Sequence, residues 1–380
     1  MKQRSIPFCR ATIDKEEISE VVETLRSGWL TTGPKCERFE KKFADIIGCK
    51  TAIALSSCTA ALHLALIASG VGEGDEVITS PYTFASTAEV INYVGAIPVF
   101  SDVTLDYNID VIEIQKKISP KTRAIIPVHF GGLPCDMDEI MKLASTYNLS
   151  IIEDAAHAFP AEYKDKMIGN IGDFTCFSFY ATKNITTAEG GMITTNKIES
   201  ENIIRALSLH GIDKDIWKRE IDGSYSYYDI IAAGYKYNLS DISASIGIHQ
   251  LEKLNYFMER RRSIVERYNA AFSEISDIIL PPVGDKDKKH AWHLYVIRLL
   301  EPEKRDDVIV RLRERGISTS VHFFPLHMNR YYREKYRYTD NTFPIARDLY
   351  RSSISIPLYP LLTDDDVDYI IEKVIESVLI

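Results

Sequence analysis

Lys183 lies in a polar turn between two runs that read as strands, Phe174 to Phe179 and Met192 to Thr195, with Glu189-Gly190-Gly191 closing the turn. An amine held at the end of a buried strand loses hydration, and desolvation disfavours its charged form. Such a lysine becomes a nucleophile near neutral pH. A second buried run, Ile151-Ile152, leads into Glu153-Asp154-Ala155-Ala156-His157 and so delivers a carboxylate and an imidazole at another strand end. A third, Thr51 to Leu55, is followed by Ser56-Ser57-Cys58-Thr59-Ala60, a hydroxyl-rich helix start. The free N–H groups there carry roughly half a positive charge and suit an anion such as phosphate. Each feature alone has an ordinary reading, since turn lysines are usually solvated and a serine N-cap needs no ligand. Their common placement at strand ends points to one crevice holding an amine, an acid, an imidazole and an anion cradle.

The elements that must position these groups alternate. Helical spacing runs from Ile13 to Ser27 and again through Phe39, Phe43 and Ile46-Ile47, separated by the turn-rich Gly28-Trp29-Leu30-Thr31-Thr32-Gly33-Pro34. Strands are expected at 51–55, 77–79, 97–100, 123–129 and from 151, with helices at 86–93 and 137–147 between them. Repeated βα units build a mostly parallel sheet covered on both faces, with ligands gathering at the carboxyl ends of its strands. Beyond Gly191 the pattern predicts a helix over 199–209, an irregular tyrosine-rich stretch from Lys214 to Ile231, and one long helix from Asp241 to about Phe272. A smaller lobe follows, with strands at 292–300 and 318–323, a helix over 306–315 and a last helix from near Thr363. The expected division is a large domain over 1–245 and a linking helix with a small α/β domain over 246–380.

Composition narrows the function. The 380 residues are 45% apolar and 26% charged, as in an ordinary soluble globular protein, and no run approaches eighteen apolar residues, so no membrane span is expected. A net charge of −9 without Lys/Arg-dense runs argues against nucleic acid as partner. The opening residues Met1 to Pro7 lack the apolar run of a signal peptide, and six scattered cysteines contain no C-x-x-C pair. These features predict a cytoplasmic protein without a disulfide framework and without a metal site.

Pyridoxal phosphate needs the combination that the strand ends offer: a lysine to form an imine and move protons, a carboxylate beside the ring nitrogen, a helix N-terminus with hydroxyls for the phosphate, and a flat group against the ring. Lys183, Asp154, Ser57-Cys58-Thr59 with Ser178, and an aromatic or imidazole ring at Phe84 or His157 supply that set. The chain resembles, almost end to end, the DegT/DnrJ/StrS family of pyridoxal-phosphate sugar aminotransferases. The resemblance is carried by Gly28 to Pro34, Ser57 to Ala60, Glu153 to His157, Phe177-Ser178-Phe179 with Lys183-Asn184, Glu189-Gly190-Gly191 and Gly234-Tyr235-Lys236-Tyr237-Asn238.

That resemblance implies the aspartate-aminotransferase-like (type I) fold, with a mostly parallel seven-stranded sheet in the large domain, and a homodimer whose sites are shared between subunits. It makes Lys183 the imine-forming lysine and proton carrier, and Asp154 the partner of the ring nitrogen. Phe84 becomes the stacking residue, and His157 a neighbour of the phenolic oxygen. Ser57, Cys58, Thr59 and Ser178 become phosphate-binding residues, and Asn238 one that reaches the phosphate in the neighbouring subunit. The small-lobe sequence Val321-His322-Phe323…His327 and Tyr331-Tyr332-Arg333-Glu334 is similar to enzymes that aminate carbon 4 of UDP-linked 4-keto sugars, which implies His322 and His327 at the substrate and glutamate as amino donor. Three other readings compete. A sugar dehydratase of the same family is disfavoured by the lysine at 183. A non-catalytic cofactor-binding regulator is disfavoured by the lack of a helix-turn-helix segment. A nucleotide-dependent oxidoreductase is disfavoured by the lack of G-x-G-x-x-G after the first strand.

Overall fold

Strands that are apolar on both faces must be covered on both faces, and the chain meets this with a seven-stranded sheet. In the computed structural model, which describes residues 4–213 and 228–380, the sheet is built from β1 (Thr51–Leu55), β2 (Glu76–Thr79), β3 (Ile97–Phe100), β4 (Thr122–Ile126), β5 (Ser150–Asp154), β8 (Phe174–Ser178) and β9 (Gly191–Thr195). The order across it is β1-β9-β8-β5-β4-β2-β3. Neighbours pair in parallel from β3 through to β8, while β9 is antiparallel to both β8 and β1. Six strands therefore share one direction and end at one edge. Successive residues split between the two faces: Ile151 and Phe177 join the core beneath helix α2 (Pro34–Ile47), whereas Ile152 and Cys176 join the core that includes helix α3 (Cys58–Ala68).

Two smaller sheets complete the described structure. A ribbon of β6 (Glu162–Tyr163), β7 (Lys166–Met167) and β11 (Lys288–Lys289) flanks the large sheet. The second lobe has β10 (Ile278–Ile279), β12 (Tyr295–Leu299) and β13 (Ser353–Ile356), packed against the helices Leu254–Phe272 and Asp364–Leu379. The N-terminal segment belongs to this lobe's core: Ile6 donates to the Gly316 carbonyl at 2.8 Å, accepts from the Ser318 N–H at 3.0 Å and is buried with Ile317 and Val367.

Several boundaries differ from the sequence expectation. The strand expected over 123–129 ends at Ile126, because Pro127 has no N–H for the ladder. The helix expected from Asp241 to Phe272 is two helices, Asp241–Glu252 and Leu254–Phe272, divided at Lys253 (φ −92°, ψ 0°). The Lys253 ammonium is held by Asp14 and Glu17, each at 2.7 Å, a tertiary anchor that local propensity does not reveal. The strand expected over 318–323 is only a bridge between Ser320 and Ser355. Trp292 lies in a loop ahead of β12 rather than in the strand. The structure adds the helices Val111–Lys117, Arg330–Tyr336 and Pro344–Ser352 to those expected. The tyrosine-rich stretch lies, from Lys214 to residue 227, outside the described residues.

Candidate active site

The shared strand edge brings the sequence-selected groups together. β5 ends on Asp154, which is 4% exposed. Its Oδ2 accepts from the Thr87 hydroxyl at 2.7 Å and its Oδ1 from the Ala156 N–H at 3.1 Å. Thr87 sits in the first turn of helix α4 (Ala85–Tyr93), which Phe84 opens. Burial raises the Asp154 pKa above the usual carboxylate value, while Thr87, Ala156 and then the positive field of Lys183 oppose that rise. Glu153 points to the other face of the sheet, where it accepts from Thr175 Oγ1 at 2.7 Å and the Gly172 N–H at 2.8 Å. His129 completes that pair: its Nδ1 accepts from the Cys135 N–H, so the neutral ring donates from Nε2 to Glu153 at 2.9 Å. Glu153 is thus consumed by structure and Asp154 is left for the site.

Lys183 stands on the loop between β8 and β9. The base of that loop is closed by Phe179 N–H to Gly190 O and Thr187 N–H to Phe179 O, both 2.9 Å, and its tip by Lys183 N–H to Tyr180 O at 2.9 Å. Desolvation pulls the Lys183 amine down to about 8, against the opposing influence of Cys58, Asp154 and Cys9. Among the described residues no ion pair within 4.0 Å involves Lys183, so amine and carboxylate feel one another's charge without touching. An uncharged fraction of the amine is therefore present near neutral pH.

The anion cradle forms where three elements converge on Gly191. Gly191 is in register with Leu55 at the end of β1 and with Ser178 at the end of β8. A Cβ on it would lie 2.3 Å from the Ser57 carbonyl carbon and 2.5 Å from the Cys58 nitrogen, so only glycine lets β9 start against the N-terminus of α3. Ser57 caps that helix by accepting from the Ala60 N–H at 3.1 Å, and Thr59 follows in its first turn. Cys58 is buried, with its thiol donating to the Cys176 carbonyl at 3.4 Å.

His157 and Phe84 enclose the other side. The Gly131 N–H donates to His157 Nδ1 at 3.3 Å, and the ring stacks on Phe323 with centroids 5.8 Å apart. Phe84 is 63% exposed and lies 6.3 Å from the same Phe323 ring. A cleft of about 640 Å³ opens from there, lined by Phe84, Tyr93, Phe323, Phe324, Arg330 and Tyr331. His322 borders the site, bonded through Nδ1 to Ser355 Oγ at 2.8 Å, and its pKa is lowered to about 4 by burial and then by Lys183. His327 lies apart: it is fully buried, packed 5.0 Å from the Phe343 ring, with Nε2 3.4 Å from the Asp340 carbonyl. Asn238 bridges to Leu55 beside the Gly28–Gly33 loop, with Nδ2 donating to Thr32 Oγ1 at 2.8 Å and Oδ1 buried without a hydrogen-bond partner among the described residues. Sequence reasoning missed Thr87, Phe323 and His293. Only the spacing of Thr87, three residues after Phe84, could have hinted that it faces the same way.

The set fits pyridoxal phosphate on its own chemistry: an amine of lowered pKa, a buried carboxylate that no cation among the described residues contacts, and a glycine-cleared helix N-terminus. Known proteins agree with the fit. A family model described as the DegT/DnrJ/EryC1/StrS aminotransferase family matches residues 11–375. The chain is 50% identical over 374 residues to the spore coat polysaccharide biosynthesis protein SpsC of Bacillus subtilis, covering 97% of this chain and 96% of SpsC. It superposes on Spr1654 of Streptococcus pneumoniae in a PLP form with a TM-score of 0.92 and 36% identity, covering 99% of both chains. It also superposes on Helicobacter pylori PseC, an aminotransferase involved in the biosynthesis of pseudoaminic acid, with a TM-score of 0.92 and 28% identity over 99% of this chain and 100% of PseC. The seven-stranded α/β architecture is that of the type I pyridoxal-phosphate enzymes.

Proposed function

The chain belongs to the DegT/DnrJ/EryC1/StrS aminotransferase family, among whose members are pyridoxal-phosphate-dependent sugar aminotransferases, and we propose that it moves an amino group from glutamate to carbon 4 of a UDP-linked 4-keto sugar. The observation that carries the reading is the free amine of Lys183, lowered to about 8 and within the electrostatic reach of the buried Asp154. Bound pyridoxal phosphate supplies an electron-accepting ring and a carbon able to carry nitrogen between the two substrates.

In this proposal Lys183 would hold the cofactor through Nζ and would move a proton at the sugar carbon that receives nitrogen. Asp154, fixed by Thr87 and Ala156, keeps the ring nitrogen protonated. Ser57, Cys58, Thr59 and Ser178 hold the phosphate, supported by their convergence on Gly191. Phe84 covers one face of the ring. His157, whose Nδ1 already accepts from Gly131, would have its Nε2 proton to offer the cofactor's phenolic oxygen. His322 and the cleft lined by Phe324 and Tyr331 take the nucleotide-linked sugar. The placement of His327 behind Phe343 supports only an indirect part for it in shaping that cleft. Two subunits share each site, a reading supported by the unpartnered Oδ1 of Asn238 and by exposed Ile18 and Leu25 on helix α1 (Lys15–Ser27). The large lobe carries the cofactor, and the lobe over 246–380, joined in its core by the N-terminal segment around Ile6, faces the substrate. All six cysteines are free thiols, which supports a cytoplasmic site of action.

Incubation with pyridoxal phosphate should produce the visible absorbance of a lysine adduct, which Lys183→Ala should abolish together with amino transfer; turnover by that variant would remove the lysine assignment. A panel of UDP- and dTDP-linked 3- and 4-keto sugars with glutamate tests the substrate. The UDP-linked 4-keto sugar should be aminated most efficiently, and a preference for any 3-keto or dTDP-linked member would overturn the carbon-4 or nucleotide assignment.

A further inference from the structure

The turn that carries Lys183 is tied to the rest of the site through the next residue. Asn184 is buried, and its Nδ2 donates to the carbonyls of Phe159 at 2.9 Å and Ala291 at 2.7 Å. With both amide protons committed, the orientation of the side chain is determined, and Oδ1 faces His293 Nδ1 at 3.2 Å. A carbonyl oxygen only accepts, so the imidazole proton of His293 sits on Nδ1 and Nε2 keeps its lone pair. The His293 backbone N–H donates to the Gly131 carbonyl at 3.0 Å, and the Gly131 N–H in turn donates to His157 Nδ1. His157 therefore carries its proton on Nε2, the opposite tautomer. The two rings lie 4.5 Å apart, centroid to centroid, inclined at 40°.

This clip leaves little slack. Gly132 (φ +101°) passes so close that a Cβ there would lie 2.9 Å from the His157 carbonyl, 3.0 Å from the Ala291 Cβ and 3.1 Å from the Trp292 nitrogen. The groups facing His293 from the packed elements are the Lys183 amine, the Arg261 guanidinium, and the imidazoles of His157 and His322. Burial first, and then the positive field of the Lys183 amine and the Arg261 guanidinium, oppose a positive charge on its ring. No hydrogen bond to Nε2 of either His157 or His293 forms among the described residues.

We propose that His293 is a positioning residue of the Lys183 site: held as the Nδ1–H tautomer by Asn184, it anchors the Lys183 turn and seats the His157 ring. The kinetic part rests on Lys183 being the cofactor lysine; the tautomer part does not.

Two substitutions separate the donor from the ring. His293→Phe keeps a ring against His157 but leaves Asn184 Oδ1 without a donor, whereas His293→Asn restores an N–H donor and removes the ring. Leaving a buried acceptor unsatisfied should cost His293→Phe about tenfold or more in kcat with a smaller change in KM, while His293→Asn recovers most of that loss. The pH midpoint of the cofactor–lysine absorbance should shift in His293→Phe and return toward the wild-type value in His293→Asn. Equal impairment of both variants, or a phenylalanine variant that matches wild type, would overturn the proposal. Nitrogen NMR of ¹⁵N-histidine-labelled, cofactor-free wild-type protein at neutral pH supplies a test independent of folding in the variants and of the functional reading. The His293 signal, assigned by its loss in His293→Asn, should show a protonated Nδ1 and a bare Nε2. A proton on Nε2, alone or on both nitrogens, refutes the tautomer lock whatever the fate of Lys183→Ala.

Discussion

Thr87→Val removes a hydroxyl from a fully buried position and replaces it with a methyl group of similar size. Because Thr87 donates to Asp154 Oδ2, the neighbouring Thr83 hydroxyl, 2.8 Å away, must donate to Thr87; the substitution breaks a two-step relay and orphans Thr83 as well. A hydrogen bond to a buried charged group contributes about 1.5–3 kcal/mol, which corresponds to roughly one to two pKa units at about 1.4 kcal/mol per unit. The Asp154 carboxyl already titrates above its unfolded value, so the folded protein keeps that proton to higher pH than the unfolded chain does. Its contribution to stability is accordingly largest at low pH and is lost as pH rises through the folded pKa. The variant pushes the folded pKa higher still. Its deficit relative to wild type should therefore be small at pH 5, where the carboxyl is more nearly neutral, and should approach the full hydrogen-bond value at pH 8.5. Denaturant titrations of the two cofactor-free proteins at both pH values measure this difference. A deficit that is equal at the two pH values, or larger at pH 5, would show that Thr87 does not support the charge on Asp154.

Three further outcomes follow from the same geometry. Lys183 titrates at about 8 in the folded protein instead of 10.5, so the folded state binds fewer protons than the unfolded chain between those values, and wild-type stability should rise with pH across that window. Cofactor-free Lys183→Met should lose this slope and exceed wild type in stability at pH 7; parallel stability–pH curves would count against the burial of the amine. Gly191→Ala forces the N-terminus of α3 to move, and misplacing the proposed phosphate cradle should lower kcat on the order of tenfold to a hundredfold, together with cofactor retention on gel filtration, while a variant that holds cofactor as tightly as wild type contradicts the close approach. The Asp102 carboxylate accepts from the Ile345 and Ala346 N–H groups at 3.1 and 3.0 Å, capping the helix Pro344–Ser352, so Asp102→Ala should cost about 1 kcal/mol by denaturant melt.

Local pattern made part of this protein legible. The large-sheet strands at 51–55, 97–100, 151–154 and 174–178 were readable because each is a short stretch rich in apolar and β-branched or aromatic residues, too short for a helix and bounded by turns. The Met137–Tyr147 and Asp364–Leu379 helices were readable from spacing and from the Thr363 cap. Less was legible in the second lobe, where Arg330–Tyr336 and Pro344–Ser352 are short and draw support from contacts distant in sequence, such as the Asp102 cap. The break at Lys253 has the same origin, since its ammonium is held by α1.

The sequence by itself determined which groups stand at strand ends: Ser57, Asp154, Ser178 and Lys183 each follow a buried run, and a parallel sheet must turn such ends to one edge. Only the tertiary structure decided how those groups are held. Thr87 reaches Asp154 across 67 positions, and His293 reaches Asn184 across 109. It also withdrew His327 behind Phe343 while bringing Phe323 onto His157. The reason is physical: periodicity and turn chemistry record each residue's relation to its own element, whereas the hydrogen bonds that orient an amine, a carboxylate and an imidazole join elements that meet only once the core has closed.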